Sequence, residues 1–251
     1  MSDRPGRETA FAKPHPGRGI RTVVVVVPAA DEQEHLPACL AAVEVAADAA
    51  ARLGVRVRVV VVLDGCTDGS AEVVARTAGV EAVAVDARCV GTARAAGARH
   101  ALDGQTELSS VWLANTDADS QVPADWLTHM LDEADRGAHL VLGTVIPQLA
   151  STDRMLELWT ARHSAFDGHE HVHGANLGVR ADVYEAAGGW ASLACGEDVE
   201  LATRALAVPG AVVRRSARTP VRTSGRTTGR APDGFAAYLR ALEDESGAVA
   251  G

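Results

Sequence analysis

At 251 residues, 47% of them hydrophobic, the chain can bury one large core. Its formal net charge of −9 argues against a general nucleic-acid binder, which needs a basic face. No apolar run approaches a membrane span, Val23 to Ala30 being far too short. The four cysteines (Cys39, Cys66, Cys89, Cys195) form no Cys-x-x-Cys pair and read as reduced thiols of a cytoplasmic protein.

Residues 1–19 are rich in Pro, Gly and charge and carry no apolar signal core, so a disordered leader is expected there. The run Arg21–Val27, ended by Pro28, has the β-branched composition of a strand buried on both faces. An Ala-rich helix is expected from about Glu34 to Leu53, a second strand from Val55 to Leu63 and a helix near Ala71–Ala78. A third strand at Val80–Val85, a helix at Thr92–Leu102 and a fourth strand at Val111–Ala114 follow. The second half is less regular. Helices are expected at Asp125–Gly137, Arg154–Ala165, Arg180–Ala187 and from Gly196 to about Ala207. Strands are expected at His139–Ile146, Val212–Arg215 and Pro220–Thr223, an alternating segment at His169–Val179 and a short helix at Phe235–Leu242. Strands alternating with helices imply an α/β fold, a mostly parallel central sheet flanked by helices, with ligands beyond the carboxyl ends of its strands.

Three acidic loops fall at that edge: Pro28-Ala-Ala-Asp31-Glu32, Asp64-Gly65 and Asp117-Ala-Asp119. Asp117 and Asp119 are two hard oxygen donors at the end of a short buried strand. They suit a divalent cation that keeps its other positions for phosphate and water. The same pair, taken alone, also suits an Asx turn or a helix cap. His169, His171 and His173 alternate and would share one face of a strand, but no carboxylate or cysteine stands at a supporting spacing, so zinc is not expected.

Taken together, Pro28-Ala-Ala-Asp31-Glu32, Asp64-Gly-Cys-Thr-Asp-Gly-Ser70, Gly91-Thr-Ala-Arg94-Ala-Ala-Gly97, Asp117-Ala-Asp119, His173-Gly-Ala-Asn176 and Glu197-Asp198 resemble a family 2 glycosyltransferase of the GT-A type. The resemblance covers about residues 20 to 208. Asp31 stands where that family usually has Asn, and Cys66 where Ser is common. It implies a single GT-A catalytic domain over 20–230, with a nucleotide-binding half (20–120) and an acceptor-binding half (121–230), followed by a C-terminal helix and tail (231–251).

The resemblance also implies roles. Asp64 would accept a hydrogen bond from the nucleobase, with Pro28, Asp31 and Glu32 around base and ribose and Arg94 near phosphate or ribose. Asp117 and Asp119 would help hold Mg²⁺ or Mn²⁺ against the diphosphate of a sugar nucleotide, a UDP-sugar before a GDP-sugar. Asp198 would be the base of an inverting transfer to a hydroxyl on a small-molecule or lipid-linked acceptor, with Glu197 holding the acceptor or the loop. His173, Gly174, Ala175 and Asn176 would line the acceptor or sugar, and Trp190 suits either sugar stacking or core packing. Of Arg222, Arg226 and Arg230, flanked by Ser, Thr and Gly, Arg226 is the expected diphosphate clamp. Three other readings compete. A haloacid-dehalogenase-type phosphohydrolase would need a downstream Lys, and the single lysine is Lys13. A nucleotidyltransferase would open on a Gly-rich basic loop. An inactive sugar-nucleotide binding protein would not need Asp198.

Overall fold

The computed structural model describes residues 19–149, 154–163, 166–229 and 234–248. Residues 1–18 of the expected leader, the end of the helix expected to reach Ala165, Arg230 and the last three residues lie outside them.

The first half follows the sequence pattern closely: β1 (Thr22–Ala29), α1 (Leu36–Ala51), β2 (Arg56–Asp64), α2 (Ser70–Arg76), β3 (Val80–Val85), α3 (Val90–Leu102) and β4 (Val111–Asn115). The five valines of β1 explain why. Val23, Val25 and Val27 pack with α1 and with the next helix, α4 (Trp126–Asp135), while Val24 and Val26 pack with α3 on the opposite face. A strand covered on both sides needs apolar residues at every position, and side chains alternate faces with period two.

The second half adds β5 (Ser120–Gln121), β6 (Leu140–Gln148), α5 (Arg154–Arg162), a 3-10 turn at Gly174–Asn176, β7 (Leu177–Arg180), α6 (Ala181–Ala186), α7 (Glu197–Ala207), β8 (Val213–Ser224) and α8 (Phe235–Ala248). All eight strands form one sheet in the order β3-β2-β1-β4-β7-β6-β8-β5. β3, β2, β1 and β4 are mutually parallel and β6 is parallel to β8, whereas β7 is antiparallel to both its neighbours and β5 is antiparallel to β8.

Two expectations are corrected here. The two short strands expected at 212–215 and 220–223 are one strand, β8, because both stretches pair with β6 across a register shift between Gly143 and Val145. The alternating segment 169–179 forms ladder only from Leu177, its earlier part being extended chain and the 3-10 turn.

The topology opens a cleft at the carboxyl edge. β1 pairs with β4 only as far as Val26, while on its other side it continues beside β2 through Val27, Pro28 and Ala29. Pro28, which has no N–H to donate, therefore sits where the β4 ladder has ended. The chain after β4 turns away over this gap, Ser120 N–H closing onto Asp117 O at 3.0 Å. β5 then pairs with the far end of β8, bringing the segment after Ser224 back over the acidic loop.

Candidate active site

The first two loops are stitched to each other. Asp31 adopts a left-handed backbone (φ 51°), a conformation open to Asp and Asn more than to most residues. Its Oδ1 accepts the Thr67 and Asp68 N–H groups at 2.6 and 3.2 Å. The Thr67 bond leads in holding the Asp31 carboxyl below its ordinary range. Gln33 N–H in turn donates to Asp68, and Gly69 N–H to Gln33. The structure thus gives Asp31 a loop-joining role within the expected base pocket. Asp31, Cys66 and Asp68 also bring three potential ligand atoms close together among the described residues. Each already serves these loops, Cys66 by donating to Ala29 O and accepting from Asp31 N–H.

Asp64 is buried, and its carboxylate accepts three backbone donors, Ala87 and Arg88 on Oδ1 and Cys89 on Oδ2 (2.7–2.9 Å). A carboxylate has about four lone-pair positions, so one acceptor position remains for a base. The loop it pins holds Arg88 at φ 50°, the other left-handed non-glycine residue among those described.

At the centre lies Arg94, 1% exposed on the inner face of α3. Its Nη2 donates to Asp117 Oδ1 (2.5 Å) and its Nε to Glu197 Oε1 (3.3 Å), while its guanidinium lies 5.3 Å above the Trp190 ring. Nη1 is buried with no hydrogen-bond partner, an orphaned cationic donor, and Nε1 of the Trp190 ring beneath it is orphaned too. Gly174 gives the guanidinium its room, since a Cβ there would stand 2.6 Å from Nη2. Gly174 N–H donates to Asp198 Oδ2 (2.7 Å), and Val199 N–H to Asp198 Oδ1 (2.8 Å). One guanidinium therefore ties the acidic pair after β4 to the start of α7. Burial pushes the Glu197 carboxyl up, against the pull of Arg94. Arg94→Ala should strand Glu197 and Asp117 and lower stability by about 3–5 kcal/mol, measured by urea denaturation. Arg94→Lys should recover only part, because an ammonium cannot fork to both carboxylates.

Asp119 lies deeper than Asp117. Burial and the negative charge of Asp117 push its carboxyl up to about 6, with Arg226 opposing. Arg226 reaches it from the segment after β8, Nη2 standing 3.0 Å from Asp119 Oδ2. The same guanidinium forks onto buried Glu32, Nη2 to Oε1 at 2.7 Å and Nη1 to Oε2 at 3.1 Å. His35 Nδ1 lies 2.9 Å from Glu32 Oε2. The resemblance implied Glu32 beside the nucleotide and Arg226 as the diphosphate clamp, and nothing in the sequence pairs residues 194 positions apart.

Other expected contacts are turned inward. Asn176 is 1% exposed. Its Oδ1 accepts Trp126 Nε1–H, and its amide donates to Thr144 O and Thr219 O. Gly143 leaves the space, as a Cβ there would meet the Asn176 amide at 2.2 Å. The expectation that Asn176 contacts an acceptor is corrected accordingly: its polar groups hold the core under the loop. Trp190 is buried against Arg94, and Ala175 is buried too, so packing is the role the structure gives Trp190. His173 is half-buried and burial pushes it down to about 3, making it a neutral imidazole. Its ring ends a stacked column running through His171 and His163 to Trp159. Arg222, weighed beside Arg226 in the sequence, pairs in the ladder with Gln121.

Acidic loops gathered at the carboxyl edge of such a sheet, facing a small-residue turn and a helix that opens on two acids, define the GT-A class of fold. The family model described as Glycosyl transferase family 2 matches residues 24–185, well over half of the chain. The chain belongs to that family. No curated protein matches it. Its fold is similar to residues 1–349 of TarS from S. aureus (TM-score 0.58, 10% identity, covering 82% of this chain and 61% of that one), also solved with UDP. It is similar as well to the mannosyltransferase PcManGT from Pyrobaculum calidifontis, solved with GDP-Man and Mn²⁺ (TM-score 0.58, 20% identity, 83% and 58%). A third is glucosyl-3-phosphoglycerate synthase from Mycobacterium tuberculosis in complex with phosphoglyceric acid (TM-score 0.51, 15% identity, 81% and 71%). The chain spans about three fifths of the length of the first two.

Proposed function

We propose that the protein is a metal-dependent glycosyltransferase that moves a sugar from a nucleoside-diphosphate donor to a hydroxyl acceptor with inversion. The observation that carries this is the Arg94 junction, which gathers Asp117, Glu197 and the Gly174–Asp198 contact around one buried guanidinium with an unspent Nη1 donor. An anion at that donor would complete it, and a diphosphate supplies one.

The donor side falls in residues 20–120 and the acceptor side in 121–230. Asp64 has one position left for a base N–H, and Pro28 and the Asp31–Asp68 stitching shape the pocket beside it. Asp117 and Asp119 fit a divalent cation, Mg²⁺ or Mn²⁺. They are hard oxygen donors, and burial beside the charge of Asp117 makes an added cation at Asp119 favourable. Bound there, the ion supplies neutralisation of the diphosphate leaving group. Asp198 takes the acceptor hydroxyl's proton, its backbone bonds aiming it from the α7 end of the cleft. Glu197 holds Arg94, and through it Asp117. His173, neutral and beside Gly174, can accept from or donate to an acceptor hydroxyl without adding charge. A UDP-sugar or a GDP-sugar suits the donor side, and a small soluble molecule or a lipid-linked sugar the acceptor side. No helix among the described residues is long and apolar enough to cross a membrane.

Calorimetry with UDP, GDP, CDP and dTDP, each with and without Mn²⁺, tests the reading. Binding of one of them that strengthens with Mn²⁺ is expected, and metal-independent or absent binding would overturn it. Metal-dependent binding without transfer across an acceptor panel would favour an inactive sugar-nucleotide binding protein instead.

A further inference from the structure

The Glu32–Arg226–Asp119 bridge has a property the expected clamp does not require. Arg226 is held by the protein, its side chain 33% exposed. It stands between two carboxylates that lie on different loops, and one of them is a proposed metal ligand. The geometry is asymmetric. Glu32 takes the guanidinium by a two-pronged fork and its side chain is 5% exposed, whereas Asp119 takes a single contact from Nη2. Forked guanidinium–carboxylate pairs are the stronger and more directional kind. Glu32 is itself fixed, its N–H donating to buried Ser70 Oγ at 2.9 Å. The backbone reinforces the placement: Ser224 N–H donates to Asp119 O at 3.1 Å, and Ser120 Oγ donates to Thr223 Oγ1 at 2.9 Å.

We propose that Arg226 is a resident cation that guards Asp119 until the divalent ion arrives, and that Glu32 is the positioning residue that keeps Arg226 at the site afterwards. This rests on the donor reading above. A metal ion on Asp119 Oδ2 competes with the guanidinium for that oxygen, because the two positive charges repel across it. Metal binding therefore loosens the weaker Asp119 contact first. The Glu32 fork survives, because Glu32 is not a ligand, and it leaves Arg226 pivoting at the cleft with one face free for diphosphate oxygens. Glu32 thus acts on the donor through Arg226 and does not touch the nucleotide.

The test compares Mn²⁺ alone with Mn²⁺ plus nucleotide, at pH 8. In Arg226→Ala, Mn²⁺ alone should bind more tightly than in the parent chain, by about tenfold for the loss of a neighbouring unit charge at partial screening. With Mn²⁺ saturating, UDP or GDP (whichever the parent binds) should bind more weakly in the same variant. Opposite signs for the two ligands are the signature, and a merely structural role would weaken both. Arg226→Lys keeps the charge and should leave Mn²⁺ affinity near the parent's while still weakening the nucleotide, which guards against a folding defect in the alanine variant. Glu32→Gln should weaken the nucleotide and raise the donor KM more than it lowers kcat. Its effect should vanish in the Arg226→Ala background, because it acts through that residue. Unchanged or weaker Mn²⁺ binding in Arg226→Ala, or additive effects of the two substitutions, overturns the inference and leaves the donor reading intact. Failure of the parent chain to bind any nucleoside diphosphate with Mn²⁺ overturns the donor reading, and this inference with it.

Discussion

Replacing Asp198 by Asn is expected to lower kcat by about 10²–10⁴, the range for removing a general base, with donor affinity unchanged. The geometry explains why the two should separate. Asp198 sits on the first turn of α7, and its contacts are Gly174 N–H and Val199 N–H, one on each oxygen. About two lone-pair positions remain for an acceptor proton. Asn keeps one acceptor oxygen and loses the other to an amide. The variant must therefore give up one of the two backbone bonds as well as its basicity, a structural cost of about 1 kcal/mol. Urea denaturation reads that cost, and calorimetry with nucleotide and Mn²⁺ shows whether the donor side is intact. A rate loss accompanied by equal loss of donor affinity would move Asp198 into a structural role. Glu197→Gln is the informative neighbour. Glu197 is buried on Arg94, so its substitution should weaken the donor and the fold together, whereas Asp198→Asn should spare the donor and cost the fold only that one bond.

The contrast between those two adjacent acids marks the limit of what the sequence carried. β1 to β4 and the loops after them were legible because a strand buried on both faces leaves an unbroken Val run, and because Pro, Gly and Asp end it. Which residues gather at the carboxyl edge follows from that alternation alone. Whom they bind does not. Asp64 looked like a base acceptor and spends most of its carboxylate on the loop after β3. Asn176 looked like an acceptor contact and is buried beneath the turn, because Gly143 opens a hole for its amide. Arg226 looked like one of three loop arginines. Its place beside Asp119 depends on two-residue β5 meeting the end of β8, a pairing across about a hundred positions that no local pattern announces. One signal was present: a charged residue at Glu32, directly before a helix with an apolar inner face, had to find a cation if it was to be buried.

Asp119→Asn should abolish the dependence of nucleotide binding on Mn²⁺ and change the pH dependence of stability in a direction that can be fixed in advance. The Asp119 carboxyl is pushed up to about 6 in the folded chain, first by burial and then by Asp117, against an unfolded value of 3.8. The folded state thus binds the proton more tightly than the unfolded state. Its contribution to stability is fully present below about pH 4 and is lost as pH rises through about 6, amounting to roughly 2–3 kcal/mol at about 1.4 kcal/mol per pH unit. Without metal, the parent chain should therefore weaken from pH 4 to pH 7 by more than Asp119→Asn, whose amide carries no charge to bury. Mn²⁺ should reverse the order at pH 8 by stabilising only the parent, since a bound ligand raises stability by mass action. The proton and the ion compete for the same oxygens, so Mn²⁺ affinity should fall about tenfold for each pH unit below about 6. Urea denaturation of both proteins at pH 4, 6 and 8, with EDTA and with Mn²⁺, checks all of this. Parallel pH profiles for the two proteins in EDTA would show that Asp119 is ionised as easily as an exposed carboxylate. Burial of the acidic pair would then not favour an added cation.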